Sequence, residues 1–304
     1  MKKYYSRISD EKLSYELEAV GAIVVEGPKW CGKTTTAKQI AKSILNLADP
    51  QVRRINEIRI QTDPSSLLKG ETPRLIDEWQ VFSDTLWDMV RYEVDKRDEF
   101  GQFILTGSVS PVKRDVNTHS GTGRIKRLYM RTMSLYESTD STGDVSIKSL
   151  FAGDEAVISG DSSMTLDDLI YLVSRGGWPK AVATDNKNIA LRQAKNYYQA
   201  TVHQEQTDDE GNRLSEEWIS AVLKAYARST GTPASIPSLL KDCRVHGGYT
   251  FSDKTLQNYI AYLKRIFLFE DMVAWNPNLR SKTAIRTSPV RYFTDPSIAV
   301  CALG

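Results

Sequence analysis

The sequence predicts an α/β fold built on a parallel sheet, and three observations lead there. A β-branched apolar run, Ala22 to Val25, enters Gly27-Pro28-Lys29-Trp30-Cys31-Gly32-Lys33-Thr34, which fits Gly-x-x-x-x-Gly-Lys-Thr, and helical spacing follows. Two further short apolar runs, Pro73 to Asp77 and Gln102 to Leu105, are separated by an amphipathic helix, as strands of a sheet with helical crossovers are. From about residue 138 the alternation stops and a helix-rich tail takes over.

Taken in order, residues 1–20 are polar, with Leu13, Leu17 and Val20 at helical spacing behind the cap candidates Ser9 and Asp10. The first strand ends at Glu26, and Thr35 to Leu45 reads as the helix behind the loop, with Ala37, Ile40, Ala41 and Ile44 on one face. Val52 to Ile60 alternates weakly and reads as a second strand. Leu75-Ile76-Asp77-Glu78 is a strand ending in two carboxylates, Phe82, Leu86, Met89 and Val94 mark a helix, and Phe103 to Ser108 is a strand closed by a turn. Leu128 to Met130 reads as a fifth strand.

The tail opens with the Ser/Thr/Gly-rich loop Ser138 to Asp144. Helices over Leu166–Ser174 and Ile189–Val202 flank the turn Gly176-Gly177-Trp178-Pro179, and Thr207 to Asn212 is an acidic linker candidate. Helices are expected over Glu216–Arg228, Ile236–Cys243 and Ser252–Phe269, then a hairpin from Arg280 to Phe293. Asp295-Pro296 would cap a terminal helix. The divisions expected are 1–138, 139–205 and 206–304.

Composition excludes several classes. Of 304 residues, 40% are apolar and 26% charged, as in ordinary globular proteins. A net charge of +2 argues for no nucleic-acid partner by itself. Three scattered cysteines, Cys31, Cys243 and Cys301, make neither a disulfide framework nor a metal site. No apolar run of about 18 residues and no signal core is present, so the reading is a soluble, cytoplasmic protein without membrane contact.

The chemistry begins at the glycine loop. Gly27 and Gly32 let the backbone approach an anion closely, and the loop N–H groups with the positive end of the following helix point at it. Lys33 would reach the β- and γ-phosphates of ATP and the Thr34 hydroxyl would ligate Mg²⁺, with Pro28, Lys29, Trp30, Cys31 and Thr35 completing the cradle. Trp30 would stack on adenine or face solvent; Cys31 is either activated by the helix N-terminus or an inert small residue. Asp77 would hold the metal and Glu78 polarise the attacking water, roughly fifty residues downstream of Gly27. Thr106 and Ser108 end the neighbouring strand, either to hold the lytic water and sense the γ-phosphate or simply to turn the chain. Arg124, framed by Gly121 and Gly123, lies among six basic residues against one acid between Lys113 and Arg131. It reads as an arginine finger in cis or in trans, as part of a nucleic-acid patch, or as a solvated charge.

Those motifs, with His119 to Ile125, Met133-Ser134-Leu135-Tyr136-Glu137-Ser138 and Gly176-Gly177-Trp178-Pro179, come in one order. They resemble a group of prokaryotic AAA+-type ATPases close to archaeal ATPases and the STAND signalling NTPases. The likeness spans about residues 15 to 300. It implies an ATPase core at 1–138, a helical lid at 139–205 and a winged helix-turn-helix at 206–304. Group members usually run on into an α/β domain resembling restriction endonucleases; this chain ends at Gly304, and no nuclease chemistry is assigned. The resulting reading is Mg²⁺-dependent ATP hydrolysis, with ADP as product and a homo-oligomer as one expected state. The alternative is a nucleotide-gated regulator touching DNA through its tail. That tail carries eleven Lys/Arg against seven Asp/Glu from Leu214 to Gly304. In that alternative Lys254, Gln257 and Asn258 would read a groove, while Lys264, Arg265, Arg280 and Lys282 would meet phosphates.

Overall fold

A computed structural model describes residues 4–108, 121–153, 159–203, 213–248, 252–275 and 288–304. Five strands form one sheet: β1 (Ala22–Glu26), β2 (Ser43–Asn46), β3 (Arg74–Asp77), β4 (Phe103–Gly107) and β5 (Ile125–Tyr129). Their order is β2-β3-β4-β1-β5, and every pairing is parallel. Parallel strands need covered faces, and the period of two supplies both. Ile23, Val25, Leu75 and Ile104 point to one side, against Leu13 and Leu17 of α1 (Ile8–Leu17) and Ala37 of α2 (Lys33–Ile40). Ala22, Val24, Ile76, Phe103 and Leu105 point to the other, against Leu86 and Val90 of α4 (Ser83–Arg97).

Two sequence expectations are corrected next to β2. The helix expected to reach Leu45 stops at Ile40, where Ala41 turns extended with ψ 133°, and Ser43 to Asn46 become a strand. Pairing decides this: Ile44 and Leu45 lie opposite Leu75 and Ile76, and that ladder outweighs helical spacing. Val52 to Ile60, expected as a strand, lies within helix α3 (Pro50–Thr62). Asp49 caps it by accepting from Gln51 N at 2.9 Å, with Pro50 in the first turn, and Arg53 pairs with Glu57 one turn on. At α1 the cap residue is Arg7 rather than Ser9 or Asp10; Asp10 reaches back to accept from Arg7 N at 2.8 Å. The fifth strand begins three residues earlier than expected, at Ile125.

The rest of the chain is helical. After the short α5 (Ile147–Ala152) come α6 (Leu166–Arg175), α7 (Pro179–Val182) and α8 (Lys187–His203). Then follow α9 (Glu216–Arg228), α10 (Ile236–Gly247), α11 (Asp253–Arg265) and the terminal α12 (Pro296–Leu303). Ser215, Ser235, Ser252 and Asp295 cap the last four through their side chains. Antiparallel bridges join Phe269 to Phe293 and Met272 to Val290, which places one arm of a hairpin at 269–272, upstream of the expected start. Residues 280–287 of the expected hairpin and the linker at 207–212 lie outside the described residues. One buried cluster runs from Trp178 through Tyr197, Tyr226 and Leu263 to Ala302, uninterrupted at the division expected near 205. Among the described residues no helix is long and apolar enough to cross a membrane.

The turn Gly176-Gly177-Trp178-Pro179 pins this helical unit to the sheet. Gly177 N donates to Asp295 Oδ2 at 2.8 Å, Met133 N donates to Gly177 O at 2.8 Å, and Trp178 Nε1 donates to Ser297 Oγ at 3.0 Å. A Cβ on Gly177 would overlap the backbone of Met133. Gly177→Ala should therefore lower stability by about 1–3 kcal/mol, the scale of overpacking against a wall that cannot yield. Urea denaturation checks this, and a midpoint equal to the parent's would show that the wall gives way.

Candidate functional site

The parallel register carries the site's residues to one edge. Asp77, the last residue of β3, stands opposite Thr106 of β4, and Glu26, the last of β1, stands opposite Gly107. The glycine loop leaves β1 at that same edge, so loop, Asp77, Glu78, Thr106 and Ser108 gather where ligands of such sheets bind. Gly27 has φ 154°, and a Cβ there would strike Met130 O; Gly32 has φ 107° and opens α2.

Inside the loop Lys33 is buried, and its Nζ donates to Gly27 O and Pro28 O, both at 2.8 Å. Burial is the largest influence on this ammonium and pulls its pKa below that of an ordinary lysine, with Cys31, Glu78 and Asp77 opposing. Asp77 is buried, and its Oδ1 accepts from Thr34 Oγ1 at 2.8 Å and from Thr106 Oγ1 at 2.5 Å. Glu78 follows in the left-handed region, φ 57° and ψ 42°, and its carboxylate accepts from Gln80 Nε2. Ser108 is half-buried just past the strand end. Thr34 and Asp77 suit Mg²⁺: both offer hard oxygens, and their 2.8 Å separation matches adjacent corners of an octahedron with ligands at about 2.1 Å.

The flanks of the loop are now assigned contacts. Trp30, in the left-handed region at φ 70° and 45% exposed, packs edge-on against Tyr197 of α8, which stacks on Trp178 at 4.1 Å. Cys31 is fully buried with its Sγ toward Met130 O, and burial raises its thiol pKa, the direction of an inert core thiol rather than an activated one. Lys29 is exposed. Thr35 lines a cavity of about 540 Å³ together with Tyr4, Tyr5, Thr36, Pro179 and Gln193.

Arg124 does not join the site in its own chain. It precedes Ile125, which pairs with Ala22 at the start of β1, whereas the loop follows Glu26 at the end. Five strand residues at about 3.3 Å each put roughly 16 Å of sheet between them. Its Nε donates instead to Asp95 Oδ1 of α4 at 2.5 Å. The expectation that Arg124 returns to the phosphate edge is thereby corrected, since parallel pairing fixes which end of β5 it occupies. The basic stretch is also largely matched by acids: Lys126 pairs with Glu16, Arg127 with Glu26 and Arg131 with Glu270. Lys113, Arg114 and His119 lie outside the described residues.

Sequence reasoning missed Arg7. Its buried guanidinium donates to Glu137 Oε1 at 3.0 Å, Cys31 O at 2.8 Å and Arg131 O at 2.8 Å, so it ties the loop to the segment after β5. Glu137 also accepts from Ile8 N and Ser134 N at 2.8 and 2.7 Å. Glu137 stood in a quoted motif without a role, while Arg7 sits in a polar lead-in that carries no signal. Pro179 likewise stood in a quoted turn without a role, and Tyr197 was silent, because its contact with Trp30 joins distant parts of the chain.

Burial pushes the Glu137 carboxyl up, but the Ser134 N–H, the Arg7 charge and the Ile8 N–H outweigh it and hold it below the ordinary range. A depressed carboxylate stabilises the fold above its unfolded value, about 4.3, and that stabilisation fades as pH falls through the folded value. Removing one partner of a buried pair costs about 3–5 kcal/mol. Arg7→Met should lose about that much at pH 7, and the gap to the parent should narrow below pH 4. Denaturation midpoints at pH 7 and below pH 4 read both effects.

Comparison with known proteins accords with this geometry. Residues 20–139 match the family described as AAA domain, and residues 166–304 match a domain of unknown function (DUF8612). No curated protein matches the chain. Among solved structures, the RuvB Holliday junction branch migration motor of Thermotoga maritima is 19% identical over 90% of each chain, with TM-score 0.36. The Drosophila ORC bound to DNA is 15% identical over 100% of this chain and 88% of that one, with TM-score 0.25. The loop, the parallel sheet and the match over residues 20–139 agree: this stretch of the chain is an AAA domain with a P-loop on a parallel α/β sheet, and a domain of unknown function lies behind it.

Proposed function

We propose that this protein binds ATP with Mg²⁺ and hydrolyses it to ADP and phosphate. The observation that carries the reading is buried Asp77, whose Oδ1 gathers the hydroxyls of Thr34 and Thr106 beside Lys33. Gly27 to Thr35 cradle the phosphates, Lys33 meets the β- and γ-phosphates, and the cavity beside Thr35 and Thr36 takes the base. Thr34 and Asp77 would hold the metal, which spreads the negative charge of the phosphate oxygens when bound. Glu78 accepts the proton of the attacking water, and Thr106 with Ser108 orients that water or the γ-phosphate. Residues 1–138 act as the core, 139–205 as the lid and 206–304 as a winged helix.

Lys33→Ala should abolish ATP binding, because the loop loses its cation for the phosphates. Glu78→Gln should retain ATP binding while turnover falls by about 10²–10⁴, the usual worth of a general base. Equilibrium binding and phosphate release, measured side by side, separate the two. Parent-level turnover in Glu78→Gln would overturn hydrolysis through this carboxylate.

Arg124 serves this chemistry only from a neighbouring copy, since it lies at the far end of its own sheet and is half-exposed there. In trans it would grip γ-phosphate oxygens, a contribution of about 10³–10⁵ in turnover. Arg124→Ala should then be slow, and mixing it with Lys33→Ala protein should restore activity, each copy supplying what the other lacks. Parent turnover in Arg124→Ala returns the residue to a solvated pair with Asp95.

Two contacts favour a second reading, in which nucleotide gates DNA binding by the tail. The tip of β5 touches the helical unit: Tyr129 Oη lies 3.1 Å from Thr294 Oγ1, and Arg131 Nε donates to both Glu270 oxygens at 2.8 and 2.9 Å. Lys254 and Gln257 are exposed near the start of α11, with Asn258 half-buried beside them; Arg280 and Lys282 lie outside the described residues. Negligible parent turnover with nucleotide-dependent DNA affinity selects this reading.

A further inference from the structure

Gln80 lies two residues past Glu78 and has no part in the chemistry above. Its Nε2 donates to Glu78 Oε2. An ionised carboxylate only accepts hydrogen bonds, so the amide must turn its NH₂ toward Glu78. That orientation leaves Gln80 Oε1 facing inward, buried and without a partner among the described residues. A buried acceptor in that state costs free energy, and the contact with Glu78 is what the arrangement retains in exchange.

The seat of this amide is Gly107, the last residue of β4. A Cβ there would stand 2.5 Å from Gln80 Oε1 and 3.1 Å from Trp79 Nε1. Gly107 is absent from the residues with positive φ, so what it supplies is room rather than an unusual conformation. Trp79, between the two side chains, is only 2% exposed and fixes the start of the turn. Glu78 meanwhile holds a left-handed backbone, φ 57°, which a residue with a Cβ adopts only under strain. Backbone and amide together restrict where its carboxylate sits.

We propose that Gln80 is a positioning residue for Glu78: its amide holds the carboxylate at the strand edge, and Gly107 leaves the space in which that amide sits. This rests on Glu78 being the base, so its test includes a variant that judges that reading separately. Gln80→Glu keeps the shape but replaces the donor with a second carboxylate. It should lower kcat by roughly 100-fold, the scale of a misplaced reacting group, while ADP affinity stays near the parent's. Gln80→Ala should also lose turnover. Adding Gly107→Ala to Gln80→Ala should cost less than the sum of the two single changes, because they share the contact at Gln80 and only the crowding of Trp79 remains. Unchanged ADP binding reports an intact fold; if Gly107→Ala alone fails to fold, Gln80→Glu decides.

With Glu78→Gln inactive, parent-level or faster turnover in Gln80→Glu overturns the proposal, as do additive losses in the double variant. An active Glu78→Gln overturns the assignment of the base instead.

Discussion

One buried carboxylate holds the nucleotide edge together. Asp77 ends the strand between β2 and β4, and its Oδ1 accepts from Thr34 on the loop helix and Thr106 on the next strand. Both donors arrive because β1, β3 and β4 run parallel in register, with Asp77 opposite Thr106 and Val25 opposite Thr106 on the other side. The register depends in turn on two apolar faces covered by α1, α2 and α4, since a slip by one residue would exchange the faces. Packing therefore sets the chemistry: the sheet positions the oxygens, and the oxygens define what the edge can bind.

The helical unit is not an independent appendage to that edge. Trp30 of the loop meets Tyr197, Tyr197 stacks on Trp178, and Trp178 is held by Ser297 at the start of α12. On the polar side Arg7 links Cys31 O to Arg131 O, and Arg131 pairs with Glu270 beyond α11. Two chemically different routes, one aromatic and one ionic, thus join loop and tail. A change in loop geometry has somewhere to be felt.

The acid–amide pair beside Asp77 shows how tightly the edge is packed. Glu78, Trp79 and Gln80 turn away from β3 in a 3₁₀ turn, and Gly107 is the wall they turn against. Strain in the Glu78 backbone and a buried amide oxygen without a partner among the described residues occur within two residues. Concentrated cost of this kind belongs where geometry matters more than stability.

Local information made much of this legible. The strand, glycine loop and helix from Ala22 onward, the carboxylates Asp77-Glu78 and the capped helices α9, α11 and α12 depend on neighbours in sequence, and their residues announce them. Ile44 and Leu45 read as helix because only their partners on β3 make them a strand. Val52 to Ile60 read as a strand because an exposed amphipathic helix and an edge strand share a weak apolar pattern. Arg124 read as close to the phosphates from its distance along the chain, but chain distance does not say which end of a parallel strand a residue occupies. Arg7 with Glu137, and Trp30 with Tyr197, are pairs separated by well over a hundred residues, and no local pattern encodes them. The sequence by itself determined the phosphate loop, the carboxylates and the α/β class, since each rests on short-range backbone chemistry. Tertiary structure alone decided the strand register, the far placement of Arg124 and the ties from loop to tail, because burial and pairing between distant segments exist only once the chain has closed on itself.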